Sequence, residues 1–307
     1  MAVEGCRATV TMRPTPPSEL SLIISTLDEG AELHETLLSV FSGSVTPAQT
    51  FVVDDGGTDH SCTILEQPDW RAKNVVVQHI QRSGVAAARN AGAAHAATRY
   101  LVFLDAHCRL QRDCLASLQS SLRAAPDAVH APAIRDVDDD TLGCGARLID
   151  PALRIQWLPS REGQDQTRLP IAPGGCLAMS QATFTKLGGF GQFRELGLED
   201  VDFSLRAWRA GVDLLAVPSA QLAHQFRPYP PYRLCSASRA YNLARVALIH
   251  FDAHRREDCL RSIIGTPRAA EVLVEAFASD WEDHRIQLAD TSLRPIEAFF
   301  AQFGDWT

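Results

Sequence analysis

The 307-residue chain has a formal net charge of −8 and an apolar, charged and aromatic content ordinary for a soluble globular protein. Acids in excess, with no dense Lys/Arg cluster, exclude a nucleic-acid groove and an anionic-membrane patch. No run of about 18 apolar residues is present, so no membrane span is expected, and the length suits one large α/β domain or one domain plus a helical extension.

The first residues lack a basic-then-apolar signal sequence, and Arg13-Pro14-Thr15-Pro16-Pro17 reads as an extended, disordered lead-in over 1–18. Eight cysteines lie scattered, with no CxxC pair or zinc spacing. Dispersed cysteines in a chain this long are expected to be reduced thiols, and the expected location is the cytosol.

From Leu20 onward, strand-like and helix-like stretches alternate. Leu20-Ser21-Leu22-Ile23-Ile24 reads as a strand, and Leu33, Leu37, Leu38 and Phe41 form an apolar stripe at helical spacing. Thr50-Phe51-Val52-Val53 is a second strand. It runs into Asp54-Asp55-Gly56-Gly57-Thr58-Asp59, whose carboxylates either accept hydrogen bonds from a base or ribose, or cap a glycine turn. Asn74-Val75-Val76-Val77 is a third strand, and Ala-rich Gly84–Ala97 a helix. Within that helix, Arg89 is either a nucleotide contact or a solvated side chain.

Tyr100-Leu101-Val102-Phe103-Leu104 is apolar throughout, as expected of a strand covered on both faces. It exits at Asp105-Ala106-His107. Two residues apart, a carboxylate and an imidazole can face the same way. Ligands of open α/β sheets bind at such strand ends, and the O,N donor pair suits a divalent metal such as Mn²⁺. The alternative is a plain strand-end turn.

Between about Asp127 and Pro173 lie several short strand candidates, followed by Gly174-Gly175. The helix Glu199–Ala210 opens with Glu199, Asp200 and Asp202, and acids are routine in a first turn. A functional reading makes one of them a general base. Leu214-Leu215-Ala216-Val217 is a short strand, and His224-Gln225-Phe226-Arg227 follows it. Alone, His224 reads as structural. In company it supplies a second imidazole for the Asp105/His107 set, with Arg227 placed for a diphosphate. A boundary falls at Pro228–Pro231, dividing 19–230 from a helical 231–307. The alternating β and α segments predict a mostly parallel sheet with helices on both faces.

Taken in order, these segments resemble the GT-A fold glycosyltransferases, the nucleotide-sugar-dependent family 2 in particular, over about Leu20–Arg227. Phe103–Cys108, Pro132–Asp140, Gly174-Gly175, Phe203–Trp208 and His224–Arg227 are further similar to the motifs of the polypeptide N-acetylgalactosaminyltransferases. The resemblance implies a Rossmann-like, α/β GT-A domain that uses a UDP-sugar. It implies Mn²⁺ (or Mg²⁺) held by Asp105, His107 and His224. It also implies nucleotide contacts from Thr26, Glu29, Asp54, Asp55, Arg89, Asp105 and Arg227, and a sugar lined by Gly174, Gly175 and Glu199. The retaining polypeptide enzymes carry Glu-Asn where this chain has Glu199-Asp200. The Asp is the inverting family 2 pattern, which makes Asp200 the base.

The expected acceptor is a Ser, Thr or Cys side chain of a peptide. A polysaccharide or small-molecule hydroxyl is the alternative, and a non-catalytic nucleotide-sugar-binding module is a reading of another class. The C-terminal helices are expected to cover the acceptor site or to mediate a homodimer.

Overall fold

The computed structural model describes residues 18–306, apart from 161, 162, 164 and 165. The Arg13–Pro17 lead-in lies outside the described residues. The chain runs β1 (Leu20–Thr26), α1 (Ala31–Phe41), β2 (Gln49–Asp54), α2 (Pro68–Arg71), β3 (Val75–His79), α3 (Val85–Ala93), β4 (Tyr100–Asp105), β5 (Cys108–Leu110) and α4 (Cys114–Ala124). It continues through β6 (Val129–Asp136), β7 (Gly143–Leu148), β8 (Ile155–Pro159), β9 (Cys176–Ser180), α5 (Gln181–Lys186), α6 (Glu199–Arg209) and β10 (Leu214–His224). Five helices close it: α7 (Ser236–His250), α8 (Ala253–Ile263), α9 (Ala269–Phe277), α10 (Trp281–Thr291) and α11 (Ile296–Phe303).

The strands form one sheet in the order β3-β2-β1-β4-β9-β6-β10-β5, with the β7–β8 arm attached to β6. The β3-β2-β1-β4 half is parallel, as expected. Beyond β4 the sheet is mixed: β9 runs antiparallel to both β4 and β6, while β6 and β10 are parallel. The reversal comes from β9, the strand that follows Gly174-Gly175.

Strand β4 shows why an unbroken apolar run was needed. Leu101 and Phe103 enter the core on one face, and Tyr100, Val102 and Leu104 enter the core on the other. Burying a side chain such as Phe103 contributes roughly 1.5–3 kcal/mol. Helix α3 lies close on β1 and β2 at Gly92, where a Cβ would stand only 2.6 Å from Ile23 Cγ2.

Two local readings change. Helix α3 stops at Ala93 rather than Ala97, where the chain turns toward β4. Strand β10 has 11 residues and ends at His224, so the short strand Leu214–Val217 is only its first part. Pro218 looks like a terminator, but it sits in a bulge where the register jumps from Val217↔Pro132 to Gln221↔Ala133. Past the bulge, pairing with β6 and β5 resumes and carries His224 to the strand's end.

The C-terminal helices share a core with the rest of the chain. One continuous apolar cluster joins Phe103 and Phe190 to Val201, Leu205 and Trp208 of α6, and onward to Phe251, Phe299 and Phe300. Trp208 also donates its indole N–H to Pro295 O at 3.0 Å. Breaks fall at 264–268 and 292–295, close to the expected Gly265-Thr266-Pro267 and Thr291-Ser292. No described helix is long and apolar enough to cross a membrane.

Candidate active site

The site lies at the carboxyl ends of β1, β4 and β10. Asp105 ends β4, His107 follows two residues later, and His224 ends β10. The three offer ligand atoms all within 4.8 Å of one another. The His107 and His224 rings stand 4.6 Å apart at 70°, and His224 Nε2 lies 3.4 Å from Asp105 Oδ2. Burial works against the Asp105 carboxylate, but the His224 contact, Arg89 and His107 outweigh it and hold its pKa well below the usual range. Asp105 is therefore an anion facing two imidazoles.

A divalent metal fits this set. His107 Nδ1 is taken by Glu29 Oε1 at 3.1 Å, which leaves Nε2 as the nitrogen to offer a metal. One carboxylate oxygen and two imidazole nitrogens is a donor set for Mn²⁺ or a similar divalent ion.

Two cavities meet here. The larger, about 300 Å³, is walled by Thr26, Glu29, Asp55, His107, Arg227 and Tyr232, among others. The smaller, about 210 Å³, is walled by Arg89, Gly174, Gly175, Glu199, Asp200 and Trp157, among others. Asp105, His224, Leu196 and Phe226 belong to both walls. Of the expected nucleotide residues, Thr26, Glu29, Asp55 and Arg227 line the larger space, Asp105 lines both, Arg89 lines the smaller one beside Gly174, Gly175 and Glu199, and Asp54 lines neither.

Asp54 and Asp55 part ways. Asp54 accepts from Gly57 N at 2.7 Å and meets His79 Nδ1 at 2.9 Å, off the wall of either cavity. Asp55 lines the larger one and accepts from Ser83 N at 2.6 Å and Gly84 N at 2.8 Å. Burial raises its pKa, and those two N–H groups offset part of the rise. Thr26 Oγ1, at the end of β1, is buried with no hydrogen-bond partner among the described residues.

Arg89 is neither solvated nor free. It is 1% exposed and donates to Glu199 Oε1 at 3.0 Å, Asp105 Oδ1 at 2.8 Å and Gly174 O at 2.8 Å. The Gly174-Gly175 pair makes room for this packing. A Cβ on Gly174 would stand 3.2 Å from both Arg89 terminal nitrogens, and one on Gly175 would stand 3.2 Å from His224 Cδ2. Asp200 Oδ2 accepts from Gly174 N at 3.0 Å and Oδ1 from Val201 N at 2.8 Å. Burial raises the pKa of both Glu199 and Asp200, their adjacency adds to the rise at Glu199, and Arg89 pulls both part-way back.

Sequence reasoning passed over several wall residues. Tyr232, Arg82 and Glu195 come from loops: Arg82 donates to Arg233 O at 2.6 Å, and Glu195 accepts from Cys235 N at 2.7 Å. These bonds tie the Pro-rich 228–235 segment beside the larger cavity. The Pro228–Pro231 cluster, a boundary signal by composition, is the sequence feature that marks this segment. Trp157, on β8, packs edge-on against Phe226 at 5.7 Å and reaches the smaller cavity by way of the β7–β8 arm.

Residues 21–188, just over half of the chain, match the profile of glycosyl transferase family 2. The chain belongs to glycosyl transferase family 2. Among curated relatives, polypeptide N-acetylgalactosaminyltransferase 6 of Mus musculus is 29% identical over 268 residues, covering 79% of this chain and 43% of its own length. The Homo sapiens protein of the same name is 29% identical over 306 residues, covering 91% of this chain and 48% of its own. This family 2 chain thus spans under half the length of those relatives.

Among solved structures, GalNAc-T7 with UDP, GalNAc and Mn²⁺ superposes with a TM-score of 0.76 at 20% identity, covering 92% of this chain and 57% of that one. S. aureus TarS in complex with UDP-GlcNAc gives 0.58 at 15% identity, covering 91% and 77%. At these identities the likeness is one of fold, and the fold of this family 2 chain is GT-A.

Proposed function

We propose that this family 2 chain is a glycosyltransferase that moves a sugar from a UDP-sugar to a Ser, Thr or Cys side chain of a peptide, with inversion. The observation that carries the reading is the Asp105/His107/His224 cluster standing where the two cavities meet. The names of the relatives support UDP-GalNAc as the first donor to test and a peptide as the first acceptor.

In this reading Asp105, His107 and His224 hold Mn²⁺ or Mg²⁺, which when bound neutralises charge growing on the departing diphosphate. Arg227 donates to the same phosphates. Asp55, Thr26 and Tyr232 line the nucleoside, with Asp54 shaping the turn that presents Asp55. Glu199 and the Gly174-Gly175 backbone border the sugar, and Arg89 braces them from beneath. Asp200 takes the acceptor's proton, and its raised pKa moves it toward that of an effective general base. Among the described residues Cys62, Cys108, Cys114, Cys176, Cys235 and Cys259 are free thiols, in keeping with a cytosolic setting.

The test incubates the chain with UDP-GalNAc, Mn²⁺ and a library of Ser-, Thr- and Cys-containing peptides, and follows peptide mass and UDP release. Peptides heavier by one N-acetylhexosamine, lost on adding EDTA, are expected. UDP release that appears only with saccharide acceptors would move the acceptor to a polysaccharide hydroxyl. Absence of UDP release with every donor tried would leave a binding module.

A further inference from the structure

Glu29 lines the larger cavity, yet its carboxylate is spoken for. It is 6% exposed, and each oxygen has one partner: Oε1 faces His107 Nδ1 at 3.1 Å, and Oε2 accepts from Arg227 Nη1 at 2.7 Å. Its place in the chain is a tight turn after β1, between Asp28 at φ 50° and Gly30 at φ 57°. A carboxylate in this position would also repel a diphosphate brought close to it.

Resting on the metal reading above, we infer that Glu29 is a positioning residue. Its carboxylate sets the His107 ring so that Nε2 is the metal-facing nitrogen, and it braces Arg227 for the diphosphate. The chemistry is that of a metal-ligating histidine, whose second ring nitrogen commonly donates to a carboxylate that fixes the tautomer and strengthens the donor atom. With Nδ1–H given to Glu29, the lone pair of His107 is on Nε2.

Arg227 is set by the same acid. Its Nε and Nη2 donate to Gln225 Oε1 at 3.1 and 2.7 Å, and Nη1 donates to Glu29. A guanidinium has five N–H groups, so one on each terminal nitrogen remains for phosphate oxygens. One buried acid therefore orients both the imidazole set to hold the metal and the cation set to meet the diphosphate.

The experiment titrates Mn²⁺ by the EPR signal of the free ion, with and without UDP, into wild type, Glu29→Gln and His107→Ala. Uridine affinity is measured separately in EDTA, and melting is followed by circular dichroism. Glutamine accepts through one atom only, so it cannot hold both donors. Glu29→Gln is expected to weaken Mn²⁺ about 10–100-fold, the usual effect of losing such a partner, with uridine affinity within about twofold of wild type.

Unchanged Mn²⁺ affinity in Glu29→Gln, beside a clear loss in His107→Ala, overturns this inference and leaves the metal reading standing. A loss of uridine affinity in EDTA overturns it in favour of a direct nucleoside contact. Equal Mn²⁺ uptake by wild type and His107→Ala overturns the metal reading itself. If Glu29→Gln does not fold, Glu29→Asp is measured instead. It keeps the charge but withdraws it by one methylene, and the same loss of Mn²⁺ affinity is expected.

Discussion

The Arg89 guanidinium lies 2.8 Å from Asp105 Oδ1, fully buried beneath the metal-type cluster. The same side chain reaches Glu199 Oε1 at 3.0 Å. One cation on α3 thus joins the end of β4 to the first turn of α6. Breaking a buried pair by removing one partner typically costs about 3–5 kcal/mol, because a charge is left uncompensated. Arg89→Met is expected to lose about that much in urea denaturation. A loss under 1 kcal/mol would mean that Asp105 and Glu199 find other partners without it.

Asp200 sits on the smaller cavity with one oxygen on Gly174 N and the other on Val201 N. Asparagine preserves the shape and removes the proton acceptor. Asp200→Asn is expected to lower the transfer rate constant about 10²–10⁴-fold, the usual reach of general-base catalysis, with UDP affinity retained. Calorimetric UDP binding and single-turnover transfer separate the two. Near-normal transfer by Asp200→Asn removes the base assignment.

At Gly92, helix propensity and packing oppose each other. An exposed helical Gly→Ala change gains about 1 kcal/mol. Here the new methyl would meet Ile23 Cγ2 at 2.6 Å and Val53 Cγ2 at 3.0 Å, both in the core. Overpacking of that kind costs about 1–3 kcal/mol. Packing is expected to win, so Gly92→Ala lowers the thermal midpoint. A raised midpoint would show that α3 can lift off β1 at little cost.

His250 is buried on α7 and meets Asp202 Oδ1 at 2.9 Å, while Asp202 also pairs with Arg206 at 2.8 Å. Burial pushes the His250 pKa below the ordinary imidazole value of 6.5, and Asp202 restores only part of the drop. The unfolded chain therefore takes up a proton at His250 that the folded chain refuses. This contribution is present above pH 6.5 and is lost as pH falls toward the depressed folded value. Asp202 is held well below the ordinary carboxylate value of 3.8, so its own contribution is lost only in stronger acid. Urea denaturation of His250→Gln between pH 7 and 5 is expected to show a shallower loss of stability than wild type. The difference in slope is at most about 1.4 kcal/mol per pH unit. Parallel slopes would mean that His250 titrates normally.

The parallel half of the sheet was legible because β1, β2 and β4 are apolar on both faces, and only a covered strand needs that. Asp105, His107 and His224 were legible as a set by resemblance, and the structure brings them together. Three things were hidden. Strand β10 was cut short because Pro218 terminates most strands, and only the partner β6 reveals the bulge that accommodates it. The buried state of Arg89 depends on Glu199, 110 positions later in the chain, and no local pattern carries such a distance. Tyr232, Arg82 and Glu195 sit in loops, whose contacts follow from tertiary closure rather than from periodicity.

Helix α6 presents Glu199 and Asp200 to the cavity, and its other flanks are clamped. Trp208 stacks edge-on against Phe299 and Phe303 of α11, and Asp202 is tied to His250 of α7. The final quarter of the chain is thus the back wall on which the first turn of α6 is mounted. Insertions or exchanges there would be felt as changes in the aim of Asp200 even where no altered residue touches a substrate.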